Sequence, residues 1–170
     1  SNTIINIGKQ EDEIYYHIFF DKNKQETKLK DYDKTIKAKN IKIKIEYQVV
    51  SFNKLFEDCD NIKFIYFKKF YRNTINDLSF MFKGCSSLKE FNLSNINMSN
   101  VKDMRGLFNK CKSLKKVNFS DLNINNLNDM SGMFYDCVSL EEINFSNFNT
   151  RHVDTMGWMF YGCSSLKKIN

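Results

Sequence analysis

The sequence predicts an α/β repeat solenoid, a right-handed coil with a parallel sheet on one face and short helices on the other. The first observation is a constant step of 26 residues between all five cysteines: Cys59, Cys85, Cys111, Cys137 and Cys163. The second is that each interval holds an alternating apolar segment followed by a helically spaced one. A fixed period of this length is typical of repeat architectures that present extended binding surfaces.

Each unit is expected to contain one strand and one short helix. After the cysteine, residues 113–120 (SLKKVNFS) end in the apolar–polar alternation of a half-buried strand. Before the cysteine, apolar residues fall at helical spacing, as in the third unit: Val101, Met104, Leu107, Phe108 and Cys111. Ser99 and Asn100 precede that stripe and are typical helix caps. Equivalent strands of successive units would then be parallel neighbours.

The chain divides into a non-repetitive segment and an array. Residues 49–170 form units at 49–74, 75–100, 101–126 and 127–152, with a partial unit at 153–170. Residues 1–48 do not follow the repeat, and two segments within them (13–20 and 41–49) have the composition of strands. We expect a β-rich N-terminal cap, with an independent ligand-binding module as the alternative. Since residue 170 falls within a predicted strand, we expect a longer array.

The repeats also carry a family resemblance. Residues 81–104 (MFKGCSSLKEFNLSNINMSNVKDM) and 133–156 (MFYDCVSLEEINFSNFNTRHVDTM) resemble the 26-residue surface-protein repeat of BspA-like leucine-rich-repeat proteins. The resemblance covers about residues 49–170. It implies a leucine-rich-repeat-like coil and non-catalytic recognition or adhesion at a cell surface or in secreted form. It transfers no catalytic residue, and the first unit departs from the pattern at Tyr66 and Lys68.

The cysteines are interpreted as packing residues. Zinc sites need ligand pairs such as Cys-x-x-Cys, and none occurs in the sequence. A catalytic thiol needs a histidine partner, and the chain has only His17 and His152. Equivalent positions of stacked units point the same way, which disfavours disulfides. We therefore predict buried reduced thiols, no metal, no cofactor and no enzymatic activity.

Outward-facing strand residues form the first candidate binding surface. Alternation places these residues on the exposed face of the sheet: Asn92, Lys116, Asn118, Glu142 and Asn144. Lys116, Glu142 and Lys168 alternate in charge along equivalent positions. The functional interpretation is a sheet face that binds a partner. The alternative is that these columns maintain solubility and strand register.

The atypical first unit supplies the second candidate surface. It interleaves aromatic and cationic residues: Tyr66, Lys68, Lys69, Tyr71 and Arg72. Such a patch suits a protein partner or stacking on sugars or bases. The alternative is that Phe64 and Tyr66 pack beneath the N-terminal strands. Trp158 stands outside the apolar stripe, either as an exposed contact residue or as the cover of a loop.

The net charge of +6 and the pI of about 9.0 raise the question of nucleic acid. Acidic residues interrupt the lysines, and we expect no repeat position to be persistently basic, so nucleic-acid binding is disfavoured. No apolar run has the length of a membrane span. The expected function is a recognition or adhesion module for a protein partner, with a glycan as a further candidate. The alternative is an intracellular scaffold or a structural subunit, in the cytoplasm.

Overall fold

A computed structural model of the chain describes residues 16–20, 25–26, 41–46, 49–66, 74–92, 97–120 and 122–170. Seven strands lie in these ranges: β1 (Tyr16–Phe20), β2 (Ile41–Ile45), β3 (Phe64–Tyr66), β4 (Glu90–Asn92), β5 (Lys116–Asn118), β6 (Glu142–Asn144) and β7 (Lys168–Ile169). The described ranges contain no helix. The chain forms two compact units, one of Ile7–Val49 and one of Ser1–Asn6 with Val50–Asn170.

The smaller unit contains an antiparallel pair of strands. β1 pairs with β2, and Tyr16 lies opposite Ile45. Alternation buries Tyr16 and Ile18 on one face of β1, while the ammonium group of Lys42 lies 5.3 Å from the ring centroid of Phe19. The two strands predicted in the first 48 residues are confirmed over β1 and β2. Their role as a cap stays a prediction.

The repeat units pair through parallel strands, as the alternation predicts. β3 pairs with β4 in one sheet, and β5, β6 and β7 form a second sheet in that order. The central residues Val117 and Ile143 are partners in register and are both buried. The strands are only two or three residues long in the units. The parallel pairing is therefore confirmed, but in two small sheets instead of one continuous sheet.

The segment before each cysteine forms tight turns where a helix was predicted. In the third unit, alternate N–H groups donate to the following unit: Met104 to Asp129 O, Gly106 to Ser131 O, Phe108 to Met133 O and Lys110 to Tyr135 O, at 2.7–2.9 Å. Of the N–H groups between them, those of Leu107 and Asn109 donate three residues back, to Met104 O and Gly106 O, and that of Arg105 donates to Asp103 Oδ1. An α-helix would need each N–H to bond four residues back. About half of these N–H groups instead donate hydrogen bonds to carbonyls of the neighbouring unit.

Two left-handed residues per unit explain how the backbone turns. The same two positions have positive φ throughout: Lys54, Phe80, Gly106, Gly132 and Trp158 at the first, and Asp58, Gly84, Lys110, Asp136 and Gly162 at the second. Each occupies the third place of a four-residue turn, which a type II turn reserves for a left-handed residue. A right-handed helix does not accommodate them. Two consecutive turns thus produce the apolar spacing that resembled a helical stripe.

The predicted α/β repeat solenoid is therefore wrong. The described residues have no helices on either face, and the sheets are small and separate. The leucine-rich-repeat-like architecture, with a strand and a helix in each unit, is wrong for the same reason. The 26-residue register itself is confirmed, because isolated parallel bridges join Asp77 to Asp103 and Asp103 to Asp129.

The core consists of columns, a term we use for residues at equivalent positions of successive units. One column of phenylalanines stacks with ring centroids 5.4–5.9 Å apart and near-parallel planes: Phe56, Phe82, Phe108, Phe134 and Phe160. Met104, Leu107 and Leu114 are fully buried beside it. Stacked aromatic pairs add a modest stabilisation to the burial of their area. The core is thus shared between neighbouring units.

The cysteine column is bonded as well as packed. The Cys111 thiol donates to Phe82 O at 3.1 Å, and Cys85 and Cys137 donate equivalently to the preceding unit. All five thiols are free, and only Cys163 is partly exposed. Burial raises the pKa of Cys59 to about 12. The predicted buried reduced thiols are confirmed, and their hydrogen bonds give a reason for cysteine that packing alone does not.

Two glycines of the turn segments, at different positions of the repeat, give a test of this backbone. At Gly106 a Cβ atom would lie 2.4 Å from the Phe80 ring, at a φ of +59°. At Gly157 a Cβ atom would meet nothing within 4 Å. We expect Gly106→Ala to lower the free energy of unfolding by about 1–3 kcal/mol, while Gly157→Ala changes it by less than about 0.5 kcal/mol. Urea titration measures both, and equal losses would contradict the turn geometry.

Candidate functional site

The first-unit patch lies mostly outside the described residues. Lys68, Lys69, Tyr71 and Arg72 fall between the described ranges 49–66 and 74–92. Tyr66 is the last residue of β3, and Asn92 is the last residue of β4. These two positions are partners in the β3–β4 register. A binding role for this patch stays a prediction.

The predicted sheet-face residues of the later units are brought together, and they pair with one another. Lys116 Nζ lies 2.9 Å from Glu142 Oε2, and Lys168 Nζ lies 3.5 Å from Glu142 Oε1. The hydrogen bond from Lys116 and its charge lower the pKa of Glu142. The side-chain oxygens of Asn118 and Asn144 accept N–H groups two residues ahead in their own units. This pairing favours the interpretation that the face maintains strand register.

A basic column borders this face. Four residues after successive cysteines lie Lys63, Lys89, Lys115, Glu141 and Lys167. The four lysines are exposed, and Lys167 Nζ pairs with Glu141 Oε2 at 3.4 Å. Within the described ranges, Lys63, Lys89 and Lys115 make no ion pair. We call these three residues the lysine ladder.

The lysine ladder corrects one expectation from the sequence. We expected no repeat position to be persistently basic, yet this position is lysine in four of five units. The signal was present in the cysteine register and was hidden by the lone Glu141. Backbone pairing holds the positions adjacent, since Lys89 N donates to Lys63 O at 2.9 Å.

A second surface lies on the turn side of the array. Phe80 and Trp158 occupy the same left-handed column, and Gly106 and Gly132 lie between them. The Phe80 ring lies over Gly106, and the space beside Gly132 is open, so a cleft lies between the two aromatic residues. We call it the aromatic cleft, and it is lined by Phe80, Arg105, Gly106, Asn109, Ser131, Gly132, Tyr135, Gly157 and Trp158.

Exposed aromatic side chains dominate one end of the aromatic cleft. Trp158 is 70% exposed and the adjacent Tyr161 is 52% exposed. Their ring centroids are 5.3 Å apart, and Tyr161 stacks on Tyr135 at 4.9 Å. The sequence left open whether Trp158 is exposed or covers a loop, and its side chain is exposed. Sequence reasoning missed Tyr135 and Tyr161, whose shared column holds polar residues in the earlier units.

The other end of the aromatic cleft is polar and compensated in charge. The Arg105 guanidinium lies 5.6 Å from the Phe80 ring centroid. It also lies 3.3 Å from Asp103 Oδ2 and 3.9 Å from Asp129 Oδ2. Asn109 Oδ1 is buried without a hydrogen-bond partner in the described part of the chain. The cleft thus combines aromatic faces with amide and hydroxyl groups and carries no isolated charge.

The aspartates behind Arg105 hold the turns. Asp77, Asp103 and Asp129 form one column of parallel bridges. In each, Oδ1 accepts the N–H two residues ahead, at 2.7–2.8 Å. Burial raises the pKa of Asp103, and its acidic neighbours act in the same direction. Burial also acts to raise the pKa of Asp129, but hydrogen bonds from Ser131 and Thr155 outweigh it and the pKa is lowered.

Within the described ranges, neither a metal-binding cluster nor a membrane-spanning helix is present. These ranges hold no group of three or more His, Cys, Asp or Glu side chains that fits a metal ion. Over the same residues, no helix has the length and apolar character needed to cross a bilayer.

A family model described as "Mycoplasma protein of unknown function, DUF285" matches residues 50–169. The chain therefore belongs to this family. No curated protein and no solved structure matches the chain. The family match does not bear on the resemblance to BspA-like proteins, and the functional part of that resemblance stays an expectation.

The two equivalent aspartates should respond oppositely to neutralisation. The pKa of Asp103 is raised in the folded state, so its negative charge opposes folding once the pH has risen through that pKa. The pKa of Asp129 is lowered in the folded state, so its negative charge supports folding, and this support is lost as the pH falls through that pKa. At pH 7 we expect Asp129→Asn to cost on the order of 1 kcal/mol and Asp103→Asn to cost nothing or to stabilise. Thermal unfolding at about pH 7 and about pH 3 measures both, and equal losses at neutral pH would contradict this assignment.

Proposed function

We propose that this chain is a non-enzymatic recognition module that binds a protein partner through the aromatic cleft. The observation that carries the proposal is that Trp158 and Arg105 line the two ends of the cleft, with Tyr161 packed against Trp158. Tryptophan, tyrosine and arginine are the residues that most often dominate protein–protein binding energies. Trp158 is also the most exposed of the large apolar residues in the described ranges.

The architecture around the cleft supports a binding role. Its walls stand on backbone that is bonded from unit to unit, for example through Gly106 N to Ser131 O and Gly132 N to Gly157 O. A site held in place by its scaffold loses little conformational entropy when it binds.

The chemistry of the cysteines favours binding over catalysis at these residues. Burial raises the pKa of Cys85, Cys111 and Cys137, and each thiol donates a hydrogen bond to a backbone carbonyl. Thiolate is the nucleophilic form, so these groups are poor nucleophiles. They serve the scaffold on which the aromatic cleft is built.

A glycan is the second candidate for the same cleft. Aromatic faces beside the Asn109 amide and the Ser131 hydroxyl match a ring with one apolar face and hydroxyl groups at its edge. We favour a protein because Trp158 and Tyr161 meet edge to face and present no flat platform, with an interplanar angle of 66°.

Binding of an isolated partner tests the proposal. The partner is captured by the whole chain, purified separately and titrated by calorimetry against wild type, Trp158→Ala and Val138→Ala. Val138 is an exposed apolar residue outside the cleft and serves as the matched control. We expect at least about tenfold weaker binding for Trp158→Ala, equivalent to about 1.4 kcal/mol, and unchanged binding for the control.

Equal affinities of wild type and Trp158→Ala would contradict a role for the cleft, and so would the absence of any saturable protein partner. A glycan array probed with the same variants tests the second candidate. If a glycan binds and its binding depends on Trp158, the ligand of the cleft is a sugar and not a protein.

A further inference from the structure

The lysine ladder places like charges at equivalent positions of three units, and none of the three forms an ion pair within the part of the chain that the structure describes. Lys63, Lys89 and Lys115 occupy one column of three consecutive units and are exposed. Lys89 N donates to Lys63 O at 2.9 Å, and Ser113 N, two residues before Lys115, donates to Ser86 O of the preceding unit at 3.2 Å, so the three positions lie on directly bonded neighbouring units. Like charges directly opposite one another destabilise a sheet. The fold therefore tolerates a concentration of positive charge here.

The later units neutralise the same region. There the column changes to Glu141, which pairs with Lys167, and the neighbouring Glu142 pairs with both Lys116 and Lys168. The same backbone thus accommodates carboxylates at these positions without difficulty. The unpaired ladder is a property of the first three units, and packing does not require it.

We propose that the lysine ladder binds a carboxylate-rich segment of a protein partner. Lysine ammonium groups on flexible stems adapt to carboxylates at uneven spacing. Charge complementarity with a chain of net charge +6 speeds the association. Phe64, 49% exposed and next to Lys63, offers contact to an apolar side chain among the acidic ones.

The surroundings of the lysine ladder favour a short acidic segment over nucleic acid. The exposed Glu90 directly follows Lys89, and Glu141 ends the run of lysines after three units. A phosphodiester backbone carries charge continuously and would meet these carboxylates along its path. A segment with three or four carboxylates ends within the length of the ladder. This inference rests on the proposed function only in taking a protein as the partner, since ladder and cleft share no residue.

Fluorescence anisotropy with a labelled peptide that alternates aspartate and leucine tests the ladder. One variant carries Lys63→Glu, Lys89→Glu and Lys115→Glu. The control carries Lys102→Glu, Lys110→Glu and Arg151→Glu, at exposed positions outside the ladder. Each exchange changes the charge by two, so both variants have a formal net charge of zero instead of +6. A set of Lys→Gln exchanges at the ladder tests the same point if the charge reversal prevents folding.

We expect the ladder variant to bind the peptide at least about tenfold more weakly than wild type, with the control within about twofold of it. Wild-type affinity should fall as salt rises. Trp158→Ala should leave peptide binding unchanged, which separates failure of the ladder from failure of the cleft. Absent binding, or equal losses in both charge variants, would overturn the proposal. Ladder-dependent binding that is tighter to oligothymidine or to anionic vesicles would assign the surface to phosphate.

Discussion

The hydrogen bonds from alternate turn residues to the next unit are the interaction on which this fold depends. In the segment before each cysteine, N–H groups such as those of Phe82 and Phe108 donate to carbonyls 25 residues ahead. Buried backbone groups must be paired, and this arrangement pairs them across units. It favours a constant repeat length, because a residue inserted between a donor and its acceptor has to be looped out for that pair to form. The left-handed residues form the turns that align these donors, and the cysteine thiols add hydrogen bonds to carbonyls of the preceding unit.

Because the repeat length is constant, each position of the repeat forms a column, and different columns form the core and the surfaces. Columns of phenylalanine, of methionine mixed with leucine, and of cysteine form the shared core, and the phenylalanines stack on one another. Columns that change from unit to unit form the surfaces. The cleft lies where Gly106 and Gly132 stand between Phe80 and Trp158 in one column. The lysine ladder ends where Glu141 interrupts it. Local sequence changes can thus create binding sites without altering the scaffold.

The periodicity of the sequence was sufficient to predict the repeat length, the parallel strands and the buried cysteines. It was not sufficient for the segment from Val101 to Cys111, because consecutive tight turns and a helix place apolar residues at similar spacing. The left-handed residues of this segment and its equivalents include Lys110 and Trp158, whose types give no indication of positive φ. Of the surfaces, the charge alternation around Glu142 followed from strand alternation. The cleft did not, because it depends on the absence of side chains at Gly106 and Gly132.

The central claim is that the turn segments bond between units and not within a helix. Nuclear magnetic resonance can measure it directly, through the scalar coupling that a hydrogen bond transmits between an amide nitrogen and a carbonyl carbon. For the amide of Phe108 the acceptor should be the carbonyl of Met133, across an N···O distance of 2.9 Å. A coupling from Phe108 to the carbonyl of Met104, four residues back, would show a helix and contradict the account.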